Sequence, residues 1–177
     1  MSSAVSTACT PDTALAAEVS ILLFDIDHFK HYNDTNGHLA GDKLLQDLAR
    51  TVHESIRKDD IFGRFGGEEF LLILPNTSLA QSLAAADKIR TMIAGRSFPF
   101  AGKQPMGVLS VSGGVAEYPH HGMDTAGLLQ AADAVLYEAK RGGRNRVVAA
   151  SGPPAGAEPP AAPDPPASAA IGAGKPA

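Results

Sequence analysis

Residues 60–74 place the tightest local constraint on the fold. Asp60-Ile61-Phe62 and Phe70-Leu71-Leu72-Ile73-Leu74 are runs of strand type, joined by Gly63-Arg64-Phe65-Gly66-Gly67-Glu68-Glu69. Two such runs meeting across a Gly-Gly pair predict a β-hairpin. The hairpin carries two adjacent carboxylates, Glu68 and Glu69, at its tip. Glycine lets backbone approach a ligand closely, and carboxylates so placed suit a hard cation. Alone, the stretch Arg64–Phe70 fits a solvent-facing turn equally well. A second acidic element upstream, suited to the same chemistry, favours the ligand reading.

The rest of the chain alternates between strand and helix signals. Val19-Ser20-Ile21-Leu22-Leu23-Phe24 reads as a buried strand ending at Asp25-Ile26-Asp27. A short helix is expected over 29–33, stopping at Asn36-Gly37. Leu44, Leu45, Leu48, Val52 and Ile56 recur at helical spacing, which predicts an amphipathic helix over 41–57. After the hairpin, Asn76, Thr77 or Ser78 caps a helix that buries Leu79, Leu83, Ala86, Ile89 and Ile93 and closes at Gly95. Residues 107–118 contain strand material, Val108-Leu109-Ser110-Val111, then Gly113-Gly114. Asp124 or Thr125 caps a last helix through Lys140, and residues 146–150 form a closing strand. The expectation is an α+β fold, a mostly antiparallel central sheet flanked by helices.

Three segments are expected: a short lead over 1–18, with a short helix over 13–18; a folded unit over 19–150; and a tail over 151–177. The tail holds eight of the 13 prolines and little apolar bulk, so it is expected to be disordered. A net charge of −4 gives no general field for nucleic acid, so any nucleotide site must be local. Cys9 is the only cysteine, which excludes a disulfide within the chain and suggests a reducing, cytoplasmic setting. The apolar runs are too short for direct membrane insertion, and no Lys or Arg precedes Lys30 to begin a secretory signal.

The second acidic element is Asp25-Ile26-Asp27-His28-Phe29-Lys30. An aspartate where strand pairing stops is a natural metal ligand. A neighbouring hairpin tip would let Asp25 and Glu68 share one Mg²⁺, which takes few carboxylates plus substrate phosphate oxygens. The turn through His28 and Phe29 can point backbone N–H groups at phosphates, with Lys30 as a point charge. An Asn33 amide and an Asp42 carboxylate can together read a guanine edge, although helix-end capping explains each from spacing alone. Lys140 and Arg144, around a helix C-terminus, are favoured there by the helix dipole; near the site they could instead hold phosphates.

Four motifs in order carry a family resemblance: Phe24–Lys30; Asn33-Asp34 with Gly37-His38 and Gly41-Asp42; Arg64–Phe70; and Asp133, Leu136-Tyr137, Ala139-Lys140 with Gly143-Arg144-Asn145. Over nearly all of residues 20–148 the chain resembles the GGDEF family of diguanylate cyclases, in a GGEEF variant. The resemblance implies a fold related to nucleotide cyclase and polymerase palm domains. It implies condensation of two GTP into cyclic di-GMP with loss of two pyrophosphates. Position by position, it implies Asp25, Glu68 and the Ile26 carbonyl as ligands for Mg²⁺, or Mn²⁺. Asn33, His38 and Asp42 match guanine-binding positions. Lys30, His28, Phe29, Lys140 and Arg144 match phosphate-binding ones. Glu68 would also help deprotonate the attacking 3′-hydroxyl, and Glu69 completes the catalytic signature. One domain binds one GTP, so a transient homodimer is expected.

Arg57-Lys58-Asp59-Asp60 stands at the spacing of the family's RxxD product-inhibition motif, which implies cyclic di-GMP held by Arg57 and Asp60. Relative to the family, residues 1–18 do not match the usual longer N-terminal helix, so part of the sheet is expected to lie open. A non-catalytic cyclic di-GMP receptor using Arg57 and Asp60 is the alternative function. Retention of Asp25, Glu68, Glu69, Lys30 and Lys140 favours the enzyme.

Overall fold

The computed structural model describes residues 18–152. Cys9, most of the expected 13–18 helix and nearly all of the tail lie outside the described residues. The sheet has five strands: β1 (Val19–Ile26), β2 (Ile61–Arg64), β3 (Glu69–Pro75), β4 (Val111–Tyr118) and β5 (Val147–Ala149). Their order is β2-β3-β1-β4-β5. Every neighbouring pair is antiparallel except β4 and β5, which run parallel. The four α-helices are α1 (Phe29–Asn36), α2 (His38–His53), α3 (Leu79–Gly95) and α4 (Thr125–Arg141).

β1 is central and buried on both faces, which is why it reads as an unbroken apolar run. Leu22, Phe24 and Ile26 point into the larger core beneath α1, α2 and α3; Ile21 and Leu23 point to the side covered by α4. β3 alternates, with Phe70, Leu72 and Leu74 buried on the larger core side. Under the hairpin, the Phe70 ring stacks on Phe24 at 5.5 Å and on Phe62 at 5.6 Å. Burying each such ring contributes roughly 2 kcal/mol, so the tip stands on a packed aromatic base. On the α4 side, Val19, Ile21, Leu71, Ile73, Tyr118 and Met123 help line an apolar cleft of about 410 Å³.

Several expected boundaries shift. α2 begins at His38, with Gly37 at φ +87° before it, and ends at His53 rather than running over 41–57. Its end is set at Ser55, whose N–H and hydroxyl both donate to the Val52 carbonyl (2.9 and 2.8 Å). The strand material expected within 107–118 forms a strand only from Val111 to Tyr118, with Gly113-Gly114 inside it. These glycines are there for packing. A Cβ at Gly114 would collide with the Ala132 carbonyl and meet the Leu136 nitrogen at 2.6 Å, so α4 rests directly on β4 backbone. α3 starts as expected, capped by Ser78 and Gln81 in a reciprocal capping box. Asp124 caps α4 by accepting from the Gly127 N–H at 2.7 Å. Among the described residues no helix is long and apolar enough to cross a membrane.

Candidate active site

The end of β1 lies beside the hairpin tip. Asp25 is the register partner of Glu69, and the Ile26 N–H donates to the Glu68 carbonyl at 3.3 Å. The tip is closed by backbone: the Glu69 carbonyl accepts from Phe65 (2.8 Å) and Gly66 (3.3 Å). Arg64 reaches forward and clasps the bend, its guanidinium donating to the carbonyls of Gly66 (3.2 Å) and Gly67 (2.9 Å). Glu69 folds over Gly66, where a Cβ would come within 2.8 Å of its Oε2. Sequence periodicity brings out none of Arg64's role, since an arginine beside a turn normally points to solvent.

Asp25 is 6% exposed and pairs with Lys140, Nζ to Oδ2, at 3.0 Å. Burial raises its pKa from 3.8 to about 6. The Lys140 hydrogen bond and charge pull it down, while the charges of Glu68 and then Glu69 push it up. Asp25 thus feels one ammonium, which it pairs with, and two further carboxylates. Asp25, Glu68 and the Ile26 carbonyl offer hard oxygen donors without forming a closed cage. Among the described residues no group of three or more His, Cys, Asp or Glu is arranged to hold a metal by itself. Two carboxylates and a carbonyl leave coordination positions for phosphate oxygens, which suits Mg²⁺.

Asp27 behaves differently. It is 3% exposed, and its carboxylate accepts from the hydroxyls of Ser110 and Ser112 (both 2.7 Å) and from the Asn145 N–H (3.0 Å). Gly143, Arg144 and Asn145 all have positive φ (+111°, +63° and +45°). For a side-chain-bearing residue that conformation costs roughly 1–2 kcal/mol. The loop is held by the Arg144 N–H on the Ala139 carbonyl (3.1 Å), by Asn145 on Asp27, and by Arg90 Nη1 on Asn145 Oδ1 (3.0 Å). Arg144 is half-buried in it.

On the other side of the tip, α1 starts at Phe29 after His28, which is left-handed at φ +57°, and no side chain caps it. Its first N–H groups therefore face outward unclaimed by a cap. Phe29 itself is buried in the core, so any phosphate contact there runs through backbone. Lys30 is exposed in the same turn, and His38 and Asp42 are exposed on α2. Asn33 Oδ1 is buried with no hydrogen-bond partner. The Asn33 amide lies against Gly41, where any Cβ would collide with it. The neighbouring cleft between α2 and β2, about 610 Å³, is lined by Asp42, Gln46, Arg50, Phe62 and Arg64 among others.

Arg57 and Asp60 form a tight turn. The Arg57 N–H donates to Asp60 Oδ2 (2.8 Å) and the Asp60 N–H to the Arg57 carbonyl (3.2 Å). Both residues line a separate cleft of about 440 Å³, with Lys88 and Gln81 from α3. The structure therefore gathers Asp25, Ile26, Glu68, Glu69 and Lys140 at one end of the sheet and sets Arg57 with Asp60 in another cleft.

Residues 3–146 match the sequence profile of the family described as diguanylate cyclase, GGDEF domain. Diguanylate cyclase A of Treponema denticola is 40% identical over 129 residues, which is 73% of this chain and 34% of that protein. Diguanylate cyclase DgcM of Escherichia coli is 44% identical over 138 residues, 77% of this chain and 32% of its own length. The chain thus spans about a third of the curated relatives it matches. Among solved structures, the active GGEEF domain of a diguanylate cyclase from Vibrio cholerae superposes with a TM-score of 0.67 at 34% identity, covering 76% of this chain and 83% of that one. The GGDEF domain of DgcB from Caulobacter crescentus, solved with c-di-GMP, gives 0.67 at 34%, covering 76% and 78%. The five-stranded sheet, the Gly66-Gly67-Glu68-Glu69 turn and the match over 3–146 make one case: the chain belongs to the diguanylate cyclase GGDEF-domain family.

Proposed function

We propose that this domain condenses two GTP into cyclic di-GMP, releasing two pyrophosphates, as a Mg²⁺-dependent transient homodimer. The observation that carries the reading is the meeting of Asp25, Ile26, Glu68 and Glu69 opposite Lys140 at the end of β1. Asp25, Glu68 and the Ile26 carbonyl would hold Mg²⁺, with Mn²⁺ as a substitute. When bound, the metal would neutralise phosphate charge and lower the pKa of the attacking hydroxyl. Lys30, Lys140, Arg144 and the N–H groups at His28 and Phe29 orient the triphosphate. Asn33 Oδ1, which has no hydrogen-bond partner, and the exposed Asp42 carboxylate on α2 are two acceptors, of the kind the N1–H and N2–H₂ donors of guanine require, with His38 exposed on the same helix.

In each half-reaction the 3′-oxygen of one GTP bonds to the α-phosphorus of the other. The bond from that phosphorus to the bridging oxygen breaks, pyrophosphate leaves, and the 3′-proton passes to Glu68, with Glu69 beside it. Phosphoryl transfer of this kind rests mainly on positioning and charge stabilisation. Each domain supplies half of the two-fold product, so two copies must face each other. Cyclic di-GMP binds at Arg57 and Asp60 and lowers turnover. The alternative, a non-catalytic cyclic di-GMP receptor, draws on the same cleft. A reducing, cytoplasmic setting fits a GTP-consuming domain.

The deciding experiment incubates purified chain with GTP and Mg²⁺ and separates the products. Cyclic di-GMP should accumulate with a rate that rises faster than linearly with protein concentration. No product at high protein concentration overturns the enzyme reading, and binding of added cyclic di-GMP in that case favours the receptor. Full activity in Glu68→Gln overturns the metal and base assignment.

A further inference from the structure

Asp27 lies between two parts of the proposed site that are far apart in the chain. On one side it follows Asp25 and Ile26 directly. On the other it accepts the Asn145 N–H, in the loop that carries Arg144 and ends α4 just after Lys140. Its remaining lone pairs are taken by Ser110 and Ser112, at the entry to β4. Its own N–H donates to the Ser110 carbonyl at 2.9 Å. With three donors on the carboxylate and 3% exposure, little of it is left for a cation. An aspartate two residues from a metal ligand invites assignment as a second ligand. The geometry argues for another role.

The loop it holds is strained. Three successive residues at positive φ stay there only if neighbours over-determine them. Two anchors fix the backbone N–H groups of this turn: the Ala139 carbonyl takes Arg144, and Asp27 takes Asn145. The Ala139 anchor belongs to α4 itself and travels with it. The Asp27 anchor is the one that ties the turn to β1. Arg90 of α3 adds a third contact, through the Asn145 side chain.

We propose that Asp27 is a positioning residue, which locks the Arg144 loop to the metal-side end of β1 through Ser110, Ser112 and the Asn145 amide. It sets the distance between the groups that hold metal and those that hold the outer phosphates. The proposal rests on the triphosphate roles given above to Lys140 and Arg144, and it adds what fixes them in place.

The test joins a spectroscopic and a binding measurement on the full 177-residue chain, in wild type, Asp27→Asn and Ser112→Ala. In the wild type the Asn145 amide proton should resonate far downfield and exchange slowly, as expected for a donor to a buried carboxylate. Asp27→Asn should move it upfield while most other amides keep their shifts. Affinity for an unreactive GTP analogue should fall about tenfold, the loss of one charge-assisted hydrogen bond. GMP, which lacks the outer phosphates, should keep its affinity. Ser112→Ala should weaken the analogue in the same direction and leave half-saturation by Mg²⁺ unchanged.

An Asn145 amide that ignores Asp27→Asn overturns the proposal. So does an equal loss of affinity for GMP and the triphosphate, or a shift in Mg²⁺ half-saturation as large as that of a true ligand variant. If wild type binds no GTP at all, the reading of the site fails and the triphosphate role with it. The amide signal still decides whether the clamp exists.

Discussion

Asp25 and Asp27 sit two residues apart at the end of β1, both buried, in surroundings that treat a carboxylate in opposite ways. Asp27 has three hydrogen-bond donors and no cation, supplied by β4, the residue before it and the Arg144 loop. Asp25 has one ammonium, from Lys140, and two further carboxylates close enough to push its pKa up. The first neighbourhood is complete, and a satisfied polar network of this kind stiffens what it joins. The second is over-supplied with negative charge, which a folded protein tolerates where a cation is to arrive. On the proposed roles the contrast separates stability from chemistry: Asp27 would hold the site's two halves in register, and Asp25 would take the ligand.

The contrast breaks most visibly in turnover. Asp25→Asn should lower cyclic di-GMP production about a thousandfold, close to 4 kcal/mol of lost transition-state stabilisation. The same variant should unfold no earlier than wild type at neutral pH, because it removes a poorly solvated charge. A variant that keeps a tenth of the activity, or melts well below wild type, would erase the distinction. Asp27→Ala is the mirror experiment. It strands two hydroxyls and one amide, at about 1–3 kcal/mol for a stranded partner, so denaturant unfolding should show a loss of about 3 kcal/mol. A loss under 1 kcal/mol would mean that water replaces the carboxylate and that the clamp is weak.

A third neighbourhood sharpens the comparison. Asn33 has a buried Oδ1 that is likewise short of a partner, yet the residue is uncharged, and it depends on the bare backbone of Gly41. Gly41→Ala should push the amide aside. Guanine nucleotides should then bind about tenfold more weakly, with little change in Mg²⁺ dependence, the loss of one hydrogen-bonded contact. Calorimetry with GMP checks this. Unchanged affinity would remove Asn33 from the guanine site.

The hairpin and the end of β1 were legible because their signals are local. Apolar runs flank Gly66-Gly67, and Asp25 follows the apolar run Ile21–Phe24, so the elements could be read directly; that the tip can lie beside the end of β1 was an expectation for an antiparallel sheet, and the register has Asp25 opposite Glu69. The bounds of β4 were less legible, for a physical reason. Gly113-Gly114 lies inside the strand where α4 packs onto its backbone, and helix–sheet proximity leaves no local mark. Asp27 was visible as a residue and invisible as an anchor. Its partners lie 83, 85 and 118 positions away, and serines carry no distinguishing pattern. Arg64 had no role read for it, whereas its guanidinium holds two glycine carbonyls. What escaped the sequence is tertiary hydrogen bonding, and it concentrates at the joints between the site's halves.

The smallest effect is also the most direct probe of Asp25. Its pKa is raised from 3.8 to about 6, chiefly by burial, with Lys140 opposing. A raised value means that the folded state holds the proton more tightly than the unfolded chain does. The stability contributed by Asp25 is therefore fully present below about pH 3.8 and is lost as pH rises through about 6. Asn mimics the protonated acid at every pH. The thermal midpoints of wild type and Asp25→Asn should then nearly coincide at pH 4, separate in favour of Asn through pH 6, and stay separated above pH 7. Comparing the two proteins cancels the titration of every group they share. Added Mg²⁺ at pH 7 should close the gap from the wild-type side alone, because the cation compensates the charge that burial penalises. A gap that is flat with pH, or one that Mg²⁺ leaves untouched, would mean that Lys140 alone satisfies Asp25 and that its neighbourhood is as complete as that of Asp27.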